Sequence, residues 1–456
     1  MNKTLVTVHL LNAGQLGDDQ TVSISSSLLR KWRFPNGQSA YLEFGAFKSF
    51  VRVVGVSNPE QLRLSHSLAA RMGLHAGAKL NLTYRPGIQT IHLGPLLGVI
   101  VSRAFPDQPE KPFGNITAFC RELTEAARTQ GVFVFFFPPN GIGDSISTVE
   151  GWTYARGWKK GTFPAPDVLH NRLTTRRLEN HSTVQQFFKE TKTKYGTHVF
   201  NEKYLDKTEV FAALKKEAAV QRYLPESHAY LGFESLRSMA EKYRTVFLKP
   251  IRGSLGKGII RVAKSSAGGF MCHYSELNGT RKVAYPSITK VYAALSSRLR
   301  SQKFQIQQGL DIASVGGRPV DFRALVQKGN IGTWEITSIV GRIAGANHFV
   351  SNLAKGGTIC TMKDAVLRSN IPSGKRSAAV KELKHASLAV AKGIETSIPA
   401  HFGELGVDLA VDRSGRVWLL EVNSKPSKND NTQLTEGKIR PSVKKLIQYV
   451  RYVSKK

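Results

Sequence analysis

The clearest alternation of hydrophobic and polar positions lies near the end of the chain, in residues 406–426. Two alternating apolar runs flank residues 412–415, Asp-Arg-Ser-Gly, and a turn-forming tetrapeptide between such runs predicts a β-hairpin. If Val411 pairs with Arg416, one face of the hairpin is apolar. That predicted core face consists of Val407, Leu409, Val411, Trp418, Leu420 and Val422.

The opposite face of this hairpin carries Asp408, Glu421 and Asn423. Two carboxylates at this range repel each other, and a half-buried carboxylate resists ionisation unless a cation compensates it. Carboxylate and amide oxygens suit Mg²⁺, which is usually held by one or two carboxylates together with nucleotide phosphates. A solvent-facing hairpin with ordinary polar residues explains the pattern equally well when the hairpin is taken alone.

The remainder of the chain divides into three predicted domains. Residues 1–92 alternate like a small β-rich domain, and their strand, short helix, glycine turn and strand order around Arg63–Leu82 resembles double-psi-type barrels. Residues 93–180 combine buried apolar runs with an amphipathic helix, which predicts an α/β domain with a parallel sheet and a loop-rich crossing over 152–177. Residues 181–456 form the third predicted domain.

A lysine and a glycine-rich turn stand together in this third domain. The predicted strand Thr245–Pro250 delivers Lys249 to its end, and the next predicted strand begins at Ile259. The turn between them contains Gly253, Ser254, Gly256, Lys257 and Gly258. Such a turn lets backbone N–H groups approach phosphate oxygens, although the spacing is not that of a Walker A loop and a plain hairpin turn would look similar.

A second predicted hairpin carries paired arginines. Arg323 lies on the same strand face as Asp321, and Arg342 lies near the end of the partner strand. Two guanidinium groups beside a metal site suit the clamping of phosphate or carboxylate, whereas the alternative is a cross-strand ion pair. Lys355 lies in a further glycine turn downstream of this hairpin.

Composition narrows the choice of partner. With 456 residues and 41% hydrophobic residues the chain is globular, and its formal net charge of +32 predicts attraction to a polyanion. No nucleic-acid-binding motif accompanies the charge, so nucleic acid is the least favoured partner. No run approaches the ~20 apolar residues of a membrane span, and three scattered cysteines indicate neither a disulfide framework nor a zinc site. We expect a cytoplasmic protein.

The order of these motifs resembles the ATP-grasp fold over about residues 200–430. The segments DVLHNR, FNEKYLDK, YLPES, FLKPIRGSLGKGI, DFRALVQ, GRIAG, SNLAKGG and GVDLAVD…WLLEVNSKP resemble the YheC/YheD endospore coat-associated group of ATP-grasp proteins, which extends the likeness to nearly the whole chain. The resemblance implies an α/β fold in which ATP lies between two α+β lobes. An α/β domain and an N-terminal barrel precede these lobes in the chain.

The resemblance also implies roles for individual residues. Lys207 and Lys249 meet the α- and β-phosphates, with Lys203 competing for the place of Lys207, and Gln307 lies at the adenine hinge. The turn from Gly253 to Gly258 closes over the nucleotide. The implied Mg²⁺ ligands are Asp408, Glu421 and Asn423, and the implied catalytic residues are Arg323, Arg342 and Lys355.

Three functions remain open at this stage. The first is an ATP-dependent carboxylate–amine ligase that works through an acylphosphate on a carboxylate substrate, such as an acidic peptide or polymer. The second is a non-catalytic spore-coat component that retains the fold and contacts other coat proteins, in the mother-cell cytoplasm and the spore coat. The third is a polyanion or nucleic-acid binder, which the charge alone supports.

Overall fold

The structure of the protein is a computed structural model that describes residues 3–12, 18–58, 61–251, 258–276, 279–346, 356–428 and 438–455. Within these ranges the strands form one closed barrel and three six-stranded sheets. The mixed α/β fold with an N-terminal barrel that the sequence predicts is therefore confirmed. None of the helices in the described part of the chain is both long enough and apolar enough to cross a membrane.

Seven strands and two short helices build the N-terminal barrel. They are β1 (Thr4–Leu11), β2 (Thr21–Ser25), α1 (Ser26–Trp32), β3 (Ser39–Phe44), β4 (Phe47–Val56), β5 (Gln61–Ser65), α2 (His66–Arg71), β6 (Lys79–Arg85) and β7 (Thr90–Leu93). The order β1-β5-β2-β4-β3-β7-β6 closes on itself. The unit of strand, helix and two strands occurs twice, as β2-α1-β3-β4 and β5-α2-β6-β7, and alternate apolar residues such as Val6, Val8 and Leu42 fill the interior.

The second unit is a six-stranded sheet. Its elements are β8 (Leu96–Ile100), α3 (Thr117–Arg128), β9 (Phe133–Phe137), β10 (Thr148–Tyr154), β11 (Trp158–Pro164), β12 (Val168–Asn171), α4 (Arg176–Glu179), α5 (Ser182–Tyr195) and β13 (His198–Phe200). The strand order is β11-β10-β9-β8-β12-β13. Within it the neighbouring strands β9, β8, β12 and β13 run parallel to one another.

The prediction of a loop-rich crossing over 152–177 included a strand-like segment at residues 167–171, which β12 confirms, but it missed the other strands of this stretch. That stretch contains part of β10 and all of β11 and β12. The hairpin of β10 and β11 lies at the sheet edge, where strands carry lysine and other polar residues, so its apolar alternation is weak in the sequence.

The third unit, which we call the small lobe, is the sheet of β14–β19 with two covering helices. After α6 (Lys207–Leu214) and α7 (Ala218–Gln221), its elements are β14 (Ser227–Ala229), α8 (Phe233–Lys242), β15 (Thr245–Pro250), β16 (Ile260–Lys264), β17 (Phe270–Glu276), β18 (Gly279–Tyr285), α9 (Ile288–Ser301) and β19 (Phe304–Gln308). The strand order is β14-β19-β15-β16-β17-β18. Helices α8 and α9 cover one face through residues such as Leu236 and Val291. On the face opposite these helices, which we call the open face, Arg261 and His273 are half-buried and Lys282 is exposed.

The last unit, the large lobe, is the sheet of β20–β25. Its elements are β20 (Ser314–Val315), β21 (Arg318–Lys328), β22 (Trp334–Ile343), β23 (Thr358–Thr361), α10 (Met362–Arg368), α11 (Ser373–Ser397), β24 (Glu404–Val411), β25 (Val417–Asn423) and α12 (Pro441–Val453). The order is β23-β22-β21-β24-β25, with β20 paired to β21. Helix α11 packs on one face through residues such as Leu383, whereas α12 packs against α3 of the second unit through Val443 and Leu446.

The predicted hairpin of residues 406–423 exists, but its register differs from the prediction. Val411 pairs with Val417, not with Arg416, and a β-bulge then leaves Leu420 as an extra residue before Asp408 pairs with Glu421. Val417 and Leu419 therefore share the core face with Leu409 and Val411. The prediction that Trp418 and Leu420 lie on this face was wrong: Trp418 pairs with Ala410 on the opposite face, where it is also buried, and Leu420 is half-buried. The bulge re-aims the strand, so that Glu421 and Asn423 leave the core face that Leu419 occupies.

Buried ion pairs join the second unit to the large lobe. The Nε of Arg440 donates to Glu122 Oε2 at 2.7 Å, and Arg440 Nη1 donates to the carbonyl oxygen of Lys428 at 2.6 Å. Glu404, which is 1% exposed, accepts a hydrogen bond from Lys428 and lies 3.4 Å from Arg172 Nη1. Each charge is paired, as burial requires.

Removing one member of such a pair should cost far more than removing an exposed one. We expect Glu122→Gln to lower the free energy of unfolding by about 3 kcal/mol, because Arg440 is left buried with an uncompensated charge. The control is Glu150→Gln, which breaks an exposed pair with Lys160 of 2.9 Å and should cost about 1 kcal/mol or less. Urea unfolding followed by tryptophan fluorescence measures both, and equal losses would contradict the prediction.

Candidate functional site

One carboxylate at the centre of the large lobe is shared by two guanidinium groups. Strand register places Arg323 opposite Asp408 and Asp321 opposite Arg342. Arg323 binds Asp408 in a bidentate manner, with Nη2 2.8 Å from Oδ2, and Arg342 Nη2 lies 3.2 Å from the same oxygen. Arg342 also binds Asp321 through Nε at 2.6 Å and Nη2 at 3.0 Å. The cross-strand ion pairs named above as the alternative are thus present.

The protonation of this cluster follows from its burial and its charges. Burial raises the pKa of Asp408, but the charges and hydrogen bonds of Arg323 and Arg342 outweigh burial and leave that pKa below its ordinary value. Burial lowers the pKa of Arg342, yet Asp408 and Asp321 raise it above the ordinary arginine value. Asp408 is therefore ionised at neutral pH, and two cations compensate it.

Glu421 and Asn423 lie beside this cluster on β25. Asp408 pairs with Glu421, and Gly406 pairs with Asn423, so the three side chains predicted to hold Mg²⁺ share one end of the hairpin. The Glu421 side chain is 30% exposed, and its Oε1 lies 3.3 Å from Lys207 Nζ. Hard oxygen donors therefore face solvent next to a cationic group.

Lys249 completes the site from the small lobe. Its ammonium group donates to Gln307 Oε1. Burial lowers the pKa of Lys249 to about 8, Glu421 raises it in part, and Lys207 lowers it further. Glu421 thus pairs with Lys207 and interacts with Lys249 at longer range. The excess of positive charge suits an anion such as a phosphate group.

Some predicted residues lie elsewhere. Lys203, the competitor of Lys207, is 36% exposed and binds Glu209 at 2.5 Å instead of facing Glu421. The Gln307 side chain faces Lys249 and, at 3.4 Å, Ser227 Oγ. Gly258 precedes β16 with a φ of +75°, in the left-handed region that glycine tolerates. Gly253, Ser254, Gly256, Lys257 and Lys355 lie outside the described residues.

Sequence reasoning missed a small pocket beside Arg323. Its other lining residues are Leu325, Ser338, Pro426, Ser427, Lys428, Arg440 and Ser442. The available signal in the sequence was the run Asn-Ser-Lys-Pro-Ser-Lys over 423–428. Its first lysine, Lys425, binds the carbonyl oxygen of Asn171 in the second unit, and its second, Lys428, binds Glu404 on β24.

The residues present fit the nucleotide and the Mg²⁺ that the resemblance implies. Glu421 and Asn423 offer a carboxylate and an amide oxygen at a partly exposed strand end, which are ligands that Mg²⁺ accepts. Lys207 and Lys249 supply an excess of positive charge where phosphates would lie, and the lowered pKa of Lys249 reflects burial without full neutralisation. Asp408 fits less directly, because both of its oxygens already bind guanidinium groups.

Comparison with known proteins agrees with this geometry. Residues 196–453 match the model of a family described as YheC/D like ATP-grasp. The endospore coat-associated protein YheD of Bacillus subtilis (strain 168) is 29% identical over 341 residues, which are 75% of this chain and 74% of YheD. YheC of the same organism is 22% identical over 323 residues, 68% of this chain and 85% of YheC. VanG D-Ala:D-Ser ligase from Enterococcus faecalis overlaps 79% of this chain and 99% of its own at 13% identity and a TM-score of 0.44, which carries no functional argument.

Asp408 should contribute to stability as well as to ligand binding. We expect Asp408→Asn to lower the free energy of unfolding at pH 7 by about 3–5 kcal/mol, because Arg323 loses its buried counter-charge and Arg342 loses one of two. Glu421→Gln should cost about 1 kcal/mol or less, since that pair with Lys207 is partly exposed.

Asp408→Asn should also change how the free energy of unfolding depends on pH in the acid range. The pKa of Asp408 is held below the ordinary value of 3.8, so its contribution is present above about pH 4 and is lost as the pH falls. Urea unfolding at a series of pH values should show the gap between parent and Asp408→Asn closing below about pH 4. A gap that stays constant down to pH 2 would contradict the assigned ion pairs.

Proposed function

Because the chain belongs to the YheC/D-like ATP-grasp family, we propose that it binds Mg·ATP between its lobes and ligates a carboxylate to an amine through an acylphosphate. The observation that carries the proposal is the ion pair of Lys207 with Glu421 at 3.3 Å, together with Lys249 of the small lobe, whose ammonium group interacts electrostatically with both residues. Lys425 and Lys428 also have lowered pKa values, but each of them binds a buried carboxylate. Lys249, with a pKa lowered to about 8, donates to the neutral side chain of Gln307, and lysines of this kind cluster at functional sites.

In this proposal Lys207 and Lys249 hold the phosphates that precede the reacting γ-phosphoryl group. Gln307 accepts the Lys249 hydrogen bond and so fixes the direction of the ammonium group. Glu421 and Asn423, with Asp408 opposite Glu421, would hold Mg²⁺, which when bound neutralises phosphate charge. No protein nucleophile is required, because catalysis of this type consists of positioning and charge stabilisation.

The arginines then act on the substrate side. An oxygen of the substrate carboxylate attacks the γ-phosphorus, the bond to ADP breaks, and an amine next displaces phosphate from the acylphosphate with loss of a proton. Arg323 and Arg342 point at the same aspartate from two strands, so they present a compact pair of guanidinium groups to an incoming carboxylate or phosphoryl oxygen. Arg342 retains Asp321 as a second partner throughout.

A second function is favoured by the relatives. YheD and YheC are both described as endospore coat-associated proteins. We therefore propose that the protein acts in the mother-cell cytoplasm or the spore coat, with coat components among its partners. A non-catalytic coat role would keep nucleotide binding at most, and turnover separates it from the ligase function.

The lysine assignment can be tested against the competing lysine. Mg·ATP at a hundred times its dissociation constant should stabilise the parent by about 2.7 kcal/mol. We expect Lys207→Met and Lys249→Met to lose most of this stabilisation, because each removes a phosphate-binding charge, while Lys203→Met keeps it. Thermal unfolding with and without Mg·ATP measures the effect. If Lys203→Met alone lost the stabilisation by Mg·ATP, phosphate binding would be assigned to Lys203 instead.

The metal assignment needs a variant that folds normally. We expect Glu421→Gln to bind Mg·ATP at least tenfold more weakly and to release ADP much more slowly. Its circular dichroism spectrum should be unchanged. ADP release with a panel of carboxylates and amines measures turnover in parent and variant. Unchanged Mg·ATP binding in Glu421→Gln would remove this residue from the metal site.

A further inference from the structure

The open face of the small lobe carries a row of basic residues in one strand register. Phe247 on β15 pairs with Arg261 on β16, Arg261 pairs with His273 on β17, and His273 pairs with Lys282 on β18. Side chains in one register row point to the same face of a sheet. The alternate residues of β15–β17, such as Leu248, Val262 and Cys272, lie in the core under α8 and α9, so the row faces away from those helices.

The row begins at the candidate nucleotide site and ends at the sheet edge. Lys249 lies two residues along β15 from Phe247, on the same face. Neighbouring strands are about 4.8 Å apart, so the three strand spacings from β15 to β18 span about 14 Å. A single anion that contacts both ends of this row is therefore extended, and is longer than a small carboxylic acid.

Acidic residues are few in the small lobe, and each of them contacts a basic group outside this row. Residues 226–308 contain fourteen Lys and Arg but only four Asp and Glu. Glu226 binds Lys242, and Glu276 binds Arg281. Glu234 and Glu241 lie on α8, within 4 Å of Arg237. All four acids thus serve other basic groups.

The basic groups act on one another. Burial lowers the pKa of His273, and the charges of Arg261 and Lys282 lower it further. Burial likewise lowers the pKa of Arg261, Arg244 lowers it further, and Asp311 raises it in part. Asp311 is itself 3.3 Å from Arg413. Mutual repulsion of this kind is relieved when an anion binds.

We propose that Arg261, His273 and Lys282 dock an acidic polypeptide and lead its carboxylates toward the ligase site. The substrate class rests on the proposed function, since a polypeptide rich in Asp or Glu supplies carboxylates both for docking and for activation. Single-stranded nucleic acid is disfavoured, because it needs aromatic side chains on which bases stack. Among the described residues on this face of β15–β18, Phe247 is the one aromatic side chain, and the Lys249 ammonium group lies 5.8 Å from the centre of its ring. A single ring does not form the succession of stacking platforms that single strands use.

The probe is a fluorescent poly-L-glutamate of about 20 residues, measured by anisotropy without nucleotide. The test variant is Arg261→Gln with Lys282→Gln. The control variant is Lys290→Gln with Arg300→Gln, which removes the same two charges from exposed positions of α9. We expect the dissociation constant to rise at least tenfold in the test variant and less than twofold in the control.

Three results would overturn the docking proposal: no binding by the parent, equal weakening in both variants, or tighter binding of an oligo-dT of equal charge that only the test variant loses. The last result would assign the row to nucleic acid.

Nucleotide binding provides an independent readout. The test variant should keep its stabilisation by Mg·ATP, whereas Lys249→Met should lose that stabilisation and still bind poly-L-glutamate. Poly-L-glutamate should also raise ADP release in the parent and fail to do so in the test variant. If small carboxylates support ADP release but the polymer does not bind, only the docking proposal is contradicted. If the polymer binds but Mg·ATP does not stabilise the protein, only the ligase proposal is contradicted.

Discussion

The Asp408 carboxylate, held by Arg323 and Arg342, is the interaction on which the large lobe depends. Three strands, β21, β22 and β24, each contribute one charged side chain to it, and their register brings the three together. In a buried position none of these charges is tolerable alone, so each strand fixes the placement of the others. The bulge in β25 then sets Glu421 opposite the same aspartate, which joins the structural ion pairs to the solvent-facing end of the site.

The candidate site is divided between the two lobes, and electrostatic interactions connect the residues that each lobe contributes. Lys249 comes from the open face of the small lobe, Lys207 begins α6, and Glu421 ends the hairpin of the large lobe. One carboxylate between two lysines leaves an excess of positive charge, which the lowered pKa of Lys249 reflects. An anion entering between the lobes would relieve that excess, and would therefore favour the lobes staying together.

A second set of buried charges ties the site to the rest of the molecule. Lys425 binds Glu179 at 2.9 Å and Lys428 binds Glu404, so the segment that follows the predicted metal ligands is anchored to the ends of β12 and β13 and to β24. The pKa of Lys425 falls to about 7 because of burial, although Glu179 raises it in part. Pro426, Ser427 and Lys428 of this anchored segment line the pocket beside Arg323, so the second unit helps to shape that pocket.

Local pattern alone predicted the hairpin, the delivery of Lys249 by a strand, and the two neighbouring strands that carry Arg323 and Arg342, because alternation and turn residues are properties of neighbouring residues. It also predicted a small β-rich domain, but the closure of that sheet is a long-range property, for which the sequence offered only a likeness to double-psi barrels. Resemblance supplied the order of the lobes, and the family match confirms the ATP-grasp assignment. Only the tertiary structure decided that Lys207 and not Lys203 faces Glu421, and that Trp418 is buried on the face opposite to the predicted one. It also decided that Arg172, Lys425 and Lys428 form the buried network. Each of those outcomes depends on a β-bulge or on a pairing between residues far apart in the chain. Neither feature produces a periodic pattern of apolar and polar residues in the sequence.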